Sequence, residues 1–170
     1  MISTFLVEHS AVVPAALLLV AVLCVLVGSL LLRTHPGRRR PLQVLAGLSV
    51  LPIAALTLSP TSQRAYEVCA FDVSLPSLGA VSSLANLALF FPAAFFATLA
   101  SRRPLAVLLA GAGLSVAIGA FQAAVPALGR SCDSDDWVMN TGGTVVAVLL
   151  AVATLALTDY RTATRRAAVR

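Results

Sequence analysis

Lysine is absent from this chain of 170 residues, and charged residues taken together are scarce. Asp, Glu, Lys and Arg together make up 11% of the sequence, whereas 59% of the residues are apolar. Soluble domains carry about 25% charged residues, and the mean hydropathy here is +0.94. This composition excludes a soluble protein and predicts one integral membrane domain over residues 1–170.

The basic residues are all arginine, which gives a formal net charge of +5. In a soluble protein this balance would suggest a nucleic-acid partner. Here the arginines lie at the ends of apolar runs, so we interpret them as determinants of membrane topology and as contacts for anionic lipid headgroups. We therefore expect membrane lipids as partners and no nucleic acid. A chain rich in Arg and Ala but without Lys is also typical of a GC-rich bacterial genome.

Histidine is scarce as well. His9 and His35 lie at opposite ends of the first apolar run, so they cannot share one site. This separation argues against a zinc site or a Ser-His-Asp triad, and we expect neither a metal nor a cofactor. The first ten residues contain no Arg or Lys, which argues against a cleavable signal peptide.

Five apolar runs are long enough to cross a bilayer core, which needs roughly 20 residues. We predict helices at about residues 11–32, 41–58, 81–100, 105–128 and 137–157, and no strand. The fold class is therefore an all-α bundle of five transmembrane helices.

The arginines are distributed unevenly between the two sides of this bundle. The segments after the first, third and fifth helices contain ten arginines, whereas those after the second and fourth contain two. By the positive-inside rule, the N-terminus is then outside and the C-terminus cytoplasmic. We expect a multi-pass protein of the plasma membrane.

That topology places two of the three cysteines on the same outer side. Cys69 and Cys132 lie in the 61–79 and 129–136 loops, whereas Cys24 lies in mid-membrane. Because an oxidising compartment allows disulfides to form, we predict a Cys69–Cys132 bond. The alternative is two unpaired cysteines that share a side.

Polar residues within the predicted helices lie at one level. Asn86 is early in the third helix, Gln122 is late in the fourth and Asn140 is early in the fifth, so all three lie near the outer surface. Polar side chains in membranes usually face protein or a water-filled cavity. We predict that they line an outward-facing pocket; the alternative is that they only hydrogen-bond the helices to one another.

Small residues at four-residue intervals predict how the last two helices pack. Such faces let helix backbones approach closely, and the loop between these helices is short. We therefore predict an antiparallel hairpin in which the two faces meet and bring Gln122 close to Asn140. The faces are Gly111, Ser115 and Gly119 on the fourth helix and Gly143, Ala147 and Ala151 on the fifth.

The loop before the fifth helix carries Arg130 and three aspartates. One interpretation is a solvated loop in which Asp135 or Asp136 caps the helix or lies in its first turn, where a carboxylate is favoured by the helix dipole. The other is a site in which Arg130 holds a phosphate or carboxylate, and Asp133 or Asp136 acts as a base or cation ligand.

A set of short motifs follows one another along the chain: Thr57-Leu58-Ser59-Pro60, Asn86 with Leu89-Phe90-Phe91-Pro92, Ser115-x-x-Ile118-x-x-x-Gln122, Pro126, Arg130, Asp133, Asp136, Asn140 and Gly143. In this order and spacing, the residues from about 41 to 158 resemble VanZ-like membrane proteins. One departure is Gly119, which stands where that family has a glutamate. The first helix and the cysteine pair look like features of a divergent branch.

The resemblance implies a bacterial envelope protein with low-level resistance to teicoplanin, a lipoglycopeptide that acts on cell-wall precursors outside the membrane. Under this hypothesis Arg130 holds an anionic group, Asp133 and Asp136 position Arg130 or bind a cation, and the three polar helix residues line the pocket. The candidate ligand is a glycopeptide or a lipid-linked cell-wall component.

Two other functions remain open. One is a structural or accessory subunit of a membrane complex. The other is an intramembrane enzyme acting on a lipid-linked phosphate or glycan, which the glycine at position 119 and the lack of an evident nucleophile make less favoured. Transport is disfavoured because the five spans show no internal repeat and no charge at the midplane.

Overall fold

A computed structural model describes residues 12–35, 37, 39–60, 69–70, 81–129 and 132–168, most of which lie in five long helices. All five helices are long and apolar enough to cross a membrane. The predicted all-α bundle is therefore confirmed, whereas the orientation of the termini stays a prediction. The helices are α1 Val12–Thr34, α2 Arg40–Leu58, α3 Val81–Ser101, α4 Pro104–Ala124 and α5 Ser134–Ala168.

The last helix is longer than the sequence predicts. Hydropathy falls after Leu157, but α5 continues to Ala168 and has 35 residues. At 1.5 Å per residue it is about 50 Å long, which exceeds a bilayer core of about 30 Å. The added turns are rich in Ala and Arg, which are good helix formers. They form an exposed, arginine-bearing extension.

Helix α3 lies at the centre of the bundle. Half of its span is buried, compared with 6% for α4 and 11% for α1 and α2. Phe95 is fully buried and packs against the ring of Phe91 at 6.0 Å and that of Phe96 at 5.4 Å. The outer helices expose Leu and Val instead, as expected for faces that lipid solvates.

Two glycines let the neighbouring helices approach α3 closely. A Cβ on Gly143 of α5 would lie 2.1 Å from the carbonyl oxygen of Leu87, and a Cβ on Gly28 of α1 would lie 2.6 Å from Leu99 Cδ1. Neither position has room for a larger residue without movement of α3 or of its side chains.

The predicted meeting of two small-residue faces is wrong. Gly111 and Ser115 of α4 do face α5, but they meet Thr144 and Asn140 there. The small face of α5 packs on α3 instead: Gly143 lies against Leu87, and its Ala147 and Ala151 belong to the buried core around the α3 phenylalanines. The reason is that α3 occupies the centre of the bundle and contacts α5 more extensively than α4 does.

A two-residue ladder joins the connections at one end of the bundle, although the sequence predicts no strand. Strand β1, Cys69–Ala70, pairs in parallel with β2, Cys132–Asp133, and Cys69 is opposite Cys132. Strands of two residues are too short to show an alternating pattern. Neighbouring strands lie about 5 Å apart, a backbone separation that a disulfide can bridge. The side chains of both cysteines lie outside the described residues, so the disulfide stays a prediction.

The other end of the bundle, where residues 33–35, 37, 39–40, 101–104 and 159–168 lie, is called here the arginine-rich end. Arg102 and Arg103 alone connect α3 to α4, and Arg102 takes a φ of 55° in this tight turn. Its guanidinium donates two hydrogen bonds to the carboxylate of Asp159 in α5, at 2.9 and 3.1 Å. This ion pair ties the turn to the extension of α5, and the hydrogen bond raises the pKa of Arg102 above its ordinary value.

Candidate functional site

A cavity of about 630 Å³ lies between α2, α3, α4 and α5 at the end opposite the arginine-rich end. We call it the polar cavity. Its walls include five of the six predicted ligand-binding residues; the sixth, Arg130, lies outside the described residues. The full lining is Leu56, Thr57, Ala85, Asn86, Leu89, Ser115, Val116, Ile118, Gly119, Ala120, Gln122, Asp133, Ser134, Asp136, Trp137 and Asn140.

Gln122 joins α4 to α2 across this cavity. Its side chain is 4% exposed, and its Nε2 donates a hydrogen bond to the carbonyl oxygen of Thr57 at 2.9 Å. Thr57 lies in the last turn of α2, where carbonyl groups have no partner within the helix. This one hydrogen bond therefore provides a partner both for a carbonyl group at the end of α2 and for the side-chain amide of Gln122.

Asn86 joins α3 to α5. Its Nδ2 donates a hydrogen bond to Oδ1 of Asp136, in the first turn of α5, and both side chains are half-buried. This contact fixes one carboxylate at the edge of the polar cavity. It also shows that residues 50 positions apart in sequence form one polar group.

Asn140 is buried deeper and is only half satisfied. Its Nδ2 donates to Oγ of Ser115 in α4 at 3.0 Å. Its Oδ1 is buried and, among the residues that the structure describes, has no hydrogen-bond partner. A buried polar atom left without a partner costs about 1–3 kcal/mol. This unpartnered acceptor belongs to a residue that lines the polar cavity.

Gln122 and Asn140 are therefore close only in the sense that both line the same cavity. Both residues line its walls, but each bonds a different partner, on α2 and α4 respectively. The sequence shows which side chains are polar and at which depth they lie. It does not show which helix each one reaches. Ser115, for example, is predicted as a small packing residue and as part of the resemblance, but not as the hydrogen-bond partner of Asn140.

The aspartates surround the start of α5. Asp133 immediately precedes the helix, and its Oδ1 accepts a hydrogen bond from the backbone N–H of Asp135 at 2.9 Å. Asp135 and Asp136 occupy the first turn, as predicted, but the capping residue is Asp133. Carboxylates are stabilised there by the positive end of the helix dipole. The carboxylates of Asp133 and Asp136 therefore make the polar cavity acidic next to the start of α5.

The remaining wall of the polar cavity is apolar. Leu56, Leu89, Val116, Ile118 and Trp137 form most of it. Gly119 lies in the same wall, so the cavity lacks the carboxylate that the sequence resemblance would place at that position. The lining therefore combines carboxylates and amides with a larger apolar surface. Within the described ranges, no group of three or more His, Cys, Asp or Glu side chains is arranged to hold a metal ion.

Comparison with known proteins gives one match. The family model for VanZ/LLP1 matches residues 15–156. The matched range begins inside α1, so it includes most of the first helix as well as nearly all of the region from about 41 to 158 that carries the resemblance. No curated protein and no solved structure matches the chain.

Proposed function

Since the chain belongs to the VanZ/LLP1 family, we propose that its polar cavity binds an amphiphile of the bacterial cell envelope. The ligand class is a lipid-linked cell-wall component or a lipoglycopeptide of the teicoplanin type. The observation that carries the proposal is Asn140 Oδ1, a buried acceptor without a described partner in the wall of a cavity of about 630 Å³.

The chemistry of the walls supports this ligand class. Sugars and peptides present hydroxyl and amide donors, which Asn140 Oδ1 would accept. The exposed carboxylate of Asp133 would interact with a further hydroxyl or an amine at the mouth. Hydrogen bonds to charged groups are stronger than neutral ones. The polar part of the ligand would therefore lie against the start of α5.

The apolar wall supports entry from the bilayer. Leu56 of α2 is 58% exposed and Val116 of α4 is 56% exposed, although both line the cavity. The cavity is thus flanked by side chains that contact lipid. An acyl or prenyl chain would stay in the bilayer beside them, while its headgroup occupies the polar end.

The distribution of arginines indicates which side of the membrane the polar cavity faces. The positive-inside rule assigns the arginine-rich end to the cytoplasm and the polar cavity to the outer face of the plasma membrane. Teicoplanin and its targets are found on that side. The proposal therefore describes a multi-pass envelope protein that confers low-level resistance by holding the glycopeptide or its target.

The test is the teicoplanin susceptibility of a sensitive bacterial host that expresses the chain. Three variants of equal abundance are compared with the wild type: Asn140→Ala, which removes the free acceptor; Gly119→Leu, which fills the cavity; and Gly113→Leu as a matched control. Gly113 lies on the same helix but outside the cavity lining, and a Cβ there meets nothing within 4 Å.

We expect the wild type and Gly113→Leu to raise the inhibitory concentration and the two cavity variants to lose this effect. Arg130→Ala added to the set tests the anionic contact that the sequence predicts. Equal protection by all variants would overturn the binding role of the cavity. No protection from the wild type would favour the accessory-subunit alternative.

A further inference from the structure

A second cavity with the opposite charge lies at the arginine-rich end. It has a volume of about 430 Å³ and lies between the start of α2 and the junction of α3 with α4. We call it the basic cavity. Its lining is Arg39, Gln43, Ala46, Ala97, Ala100, Ser101 and Arg103.

The two guanidinium groups of this cavity are available to a ligand. Both arginines are exposed, and neither makes a side-chain hydrogen bond or ion pair within the described part of the chain. The sequence has no Asp or Glu between residues 9 and 66 or between 73 and 132, so the segments that form the cavity carry no acid. Asp159, the nearby acid of α5, is already paired with Arg102.

An apolar cavity continues from the basic cavity toward the middle of the bundle. It has a volume of about 300 Å³ and shares Ala46 and Ala97 with the basic cavity. Its single hydroxyl, that of Thr144, donates to the carbonyl oxygen of Asn140. The lining is Ala46, Gly47, Val50, Ile53, Phe90, Ala93, Ala94, Ala97, Val107, Ala110, Gly111, Leu114 and Thr144.

The two cavities form a groove because α2 and α4 both pack on α3 but scarcely touch each other. Side chains at the rim of the groove, such as Val50 and Leu114, are 42% and 39% exposed. The groove therefore opens to the lipid along its side. It carries positive charge at the membrane surface and only apolar surface within the bilayer core.

We propose that this groove holds one anionic glycerophospholipid. Arg39 and Arg103 bind its phosphate from two sides, and Gln43 and Ser101 offer neutral hydrogen-bonding groups to the rest of the headgroup. One acyl chain lies in the apolar cavity between α2 and α4. Because a guanidinium matches the geometry of phosphate oxygens, two of them without an acid favour a net negative headgroup over a zwitterionic one.

The lipid site differs from the polar cavity in its charge and in its position along the bundle. Its phosphate lies at the arginine-rich end, whereas Asn140 and the aspartates lie at the opposite end. The only side-chain polar group in the lining of the apolar cavity between them is the hydroxyl of Thr144, which already donates to the carbonyl oxygen of Asn140. The groove is therefore a binding site for a lipid that fills the gap between α2 and α4.

The experiment is native mass spectrometry of the full chain, purified in detergent and titrated with phosphatidylglycerol or with phosphatidylcholine of the same acyl composition. The wild type is compared with the double variant Arg39→Gln/Arg103→Gln. The control is Arg165→Gln/Arg166→Gln, which removes the same charge from the same end but outside the cavity. A third variant, Gly47→Leu, fills the apolar cavity, and a Cβ at this position meets nothing within 4 Å.

We expect one phosphatidylglycerol to be retained in preference to phosphatidylcholine. Each arginine removed from the cavity should weaken retention by about fivefold, as expected for one basic residue beside an anionic lipid, whereas the control pair should keep it. Gly47→Leu should weaken retention of both lipids. Equal retention of the two lipids, or equal losses in the cavity and control pairs, would overturn the proposal. So would thermal stabilisation by inorganic phosphate alone equal to that by the lipid, which would indicate a phosphate site.

Discussion

Gly143 of α5 lies directly against the backbone of Leu87 in α3. A Cβ added to the glycine would be 2.1 Å from the carbonyl oxygen of Leu87 and 3.0 Å from its Cα. This contact sets how closely the two most extensively packed helices approach. Asn86 immediately precedes Leu87, and Asn140 lies one turn before Gly143 in α5. The contact between Gly143 and Leu87 therefore also positions the polar cavity.

Gly143→Ala should therefore destabilise the protein strongly. The added methyl group meets backbone atoms, which cannot rotate away, so α3 and α5 must separate. Overpacking of this kind costs about 1–3 kcal/mol. Thermal unfolding in detergent measures the loss. Gly142→Ala is the matched control, since a Cβ there meets nothing within 4 Å, and it should be neutral or stabilise the helix by up to about 1 kcal/mol. Equal midpoints for the two variants would contradict the close contact.

Gly111→Ala should be destabilising in a way that a second substitution relieves. A Cβ at position 111 would lie 2.7 Å from Cγ2 and 2.8 Å from Oγ1 of Thr144. Thr144→Ala removes both atoms, so the double variant should lose less stability than the sum of the two single losses, by a coupling of about 0.5–3 kcal/mol. Thermal unfolding of the four proteins in the cycle measures this coupling. Additive losses would mean that α4 and α5 do not meet at this point.

Cys69 and Cys132 should be joined in protein purified without reductant. Their backbones face each other across the β1–β2 ladder, and Cys24 is a buried free thiol. Alkylation after denaturation should therefore modify one cysteine, and alkylation after reduction should modify three. Three modified cysteines before reduction would rule out the bond. Cys69→Ser and Cys132→Ser should lower thermal stability by similar amounts, since either one removes the same cross-link.

The Arg102–Asp159 pair should matter little for stability. The two side chains are 49% and 54% exposed, and exposed ion pairs typically contribute no more than about 1 kcal/mol. Asp159→Asn should lower the unfolding midpoint slightly, and high salt should reduce the difference from the wild type. A large loss that salt does not change would show that the turn between α3 and α4 depends on this pair.

The sequence predicts the helices well because the bilayer demands a length and an apolarity that few soluble segments have. It also predicts that Asn86, Gln122 and Asn140 lie at one level of the bundle, since these polar residues stand out against Leu, Val and Ala, and all three line one cavity. The extension of α5 is not predicted, because the residues beyond Leu157 lie outside the bilayer core and do not need to be apolar. Hydropathy therefore no longer indicates where the helix ends.

The pairings within the bundle could not be predicted. Small residues at four-residue intervals show that a close contact exists but not with which helix, and the central place of α3 decides that Gly143 meets Leu87. The carbonyl oxygen of Thr57, which Gln122 binds, carries no signal in the sequence. The groove between α2 and α4 could not be predicted for another reason, because its alanines and valines are the ordinary residues of any membrane helix.

The central claim is that the polar cavity binds an amphiphile, and direct binding tests it best. Fluorescently labelled teicoplanin is titrated into the purified chain in lipid nanodiscs, beside Gly119→Leu and the matched Gly113→Leu. We expect saturable binding by the wild type and by Gly113→Leu, with an affinity at least about tenfold weaker for Gly119→Leu, a difference of about 1.4 kcal/mol. Equal affinity in all three folded proteins, or no saturable binding by the wild type, would contradict it.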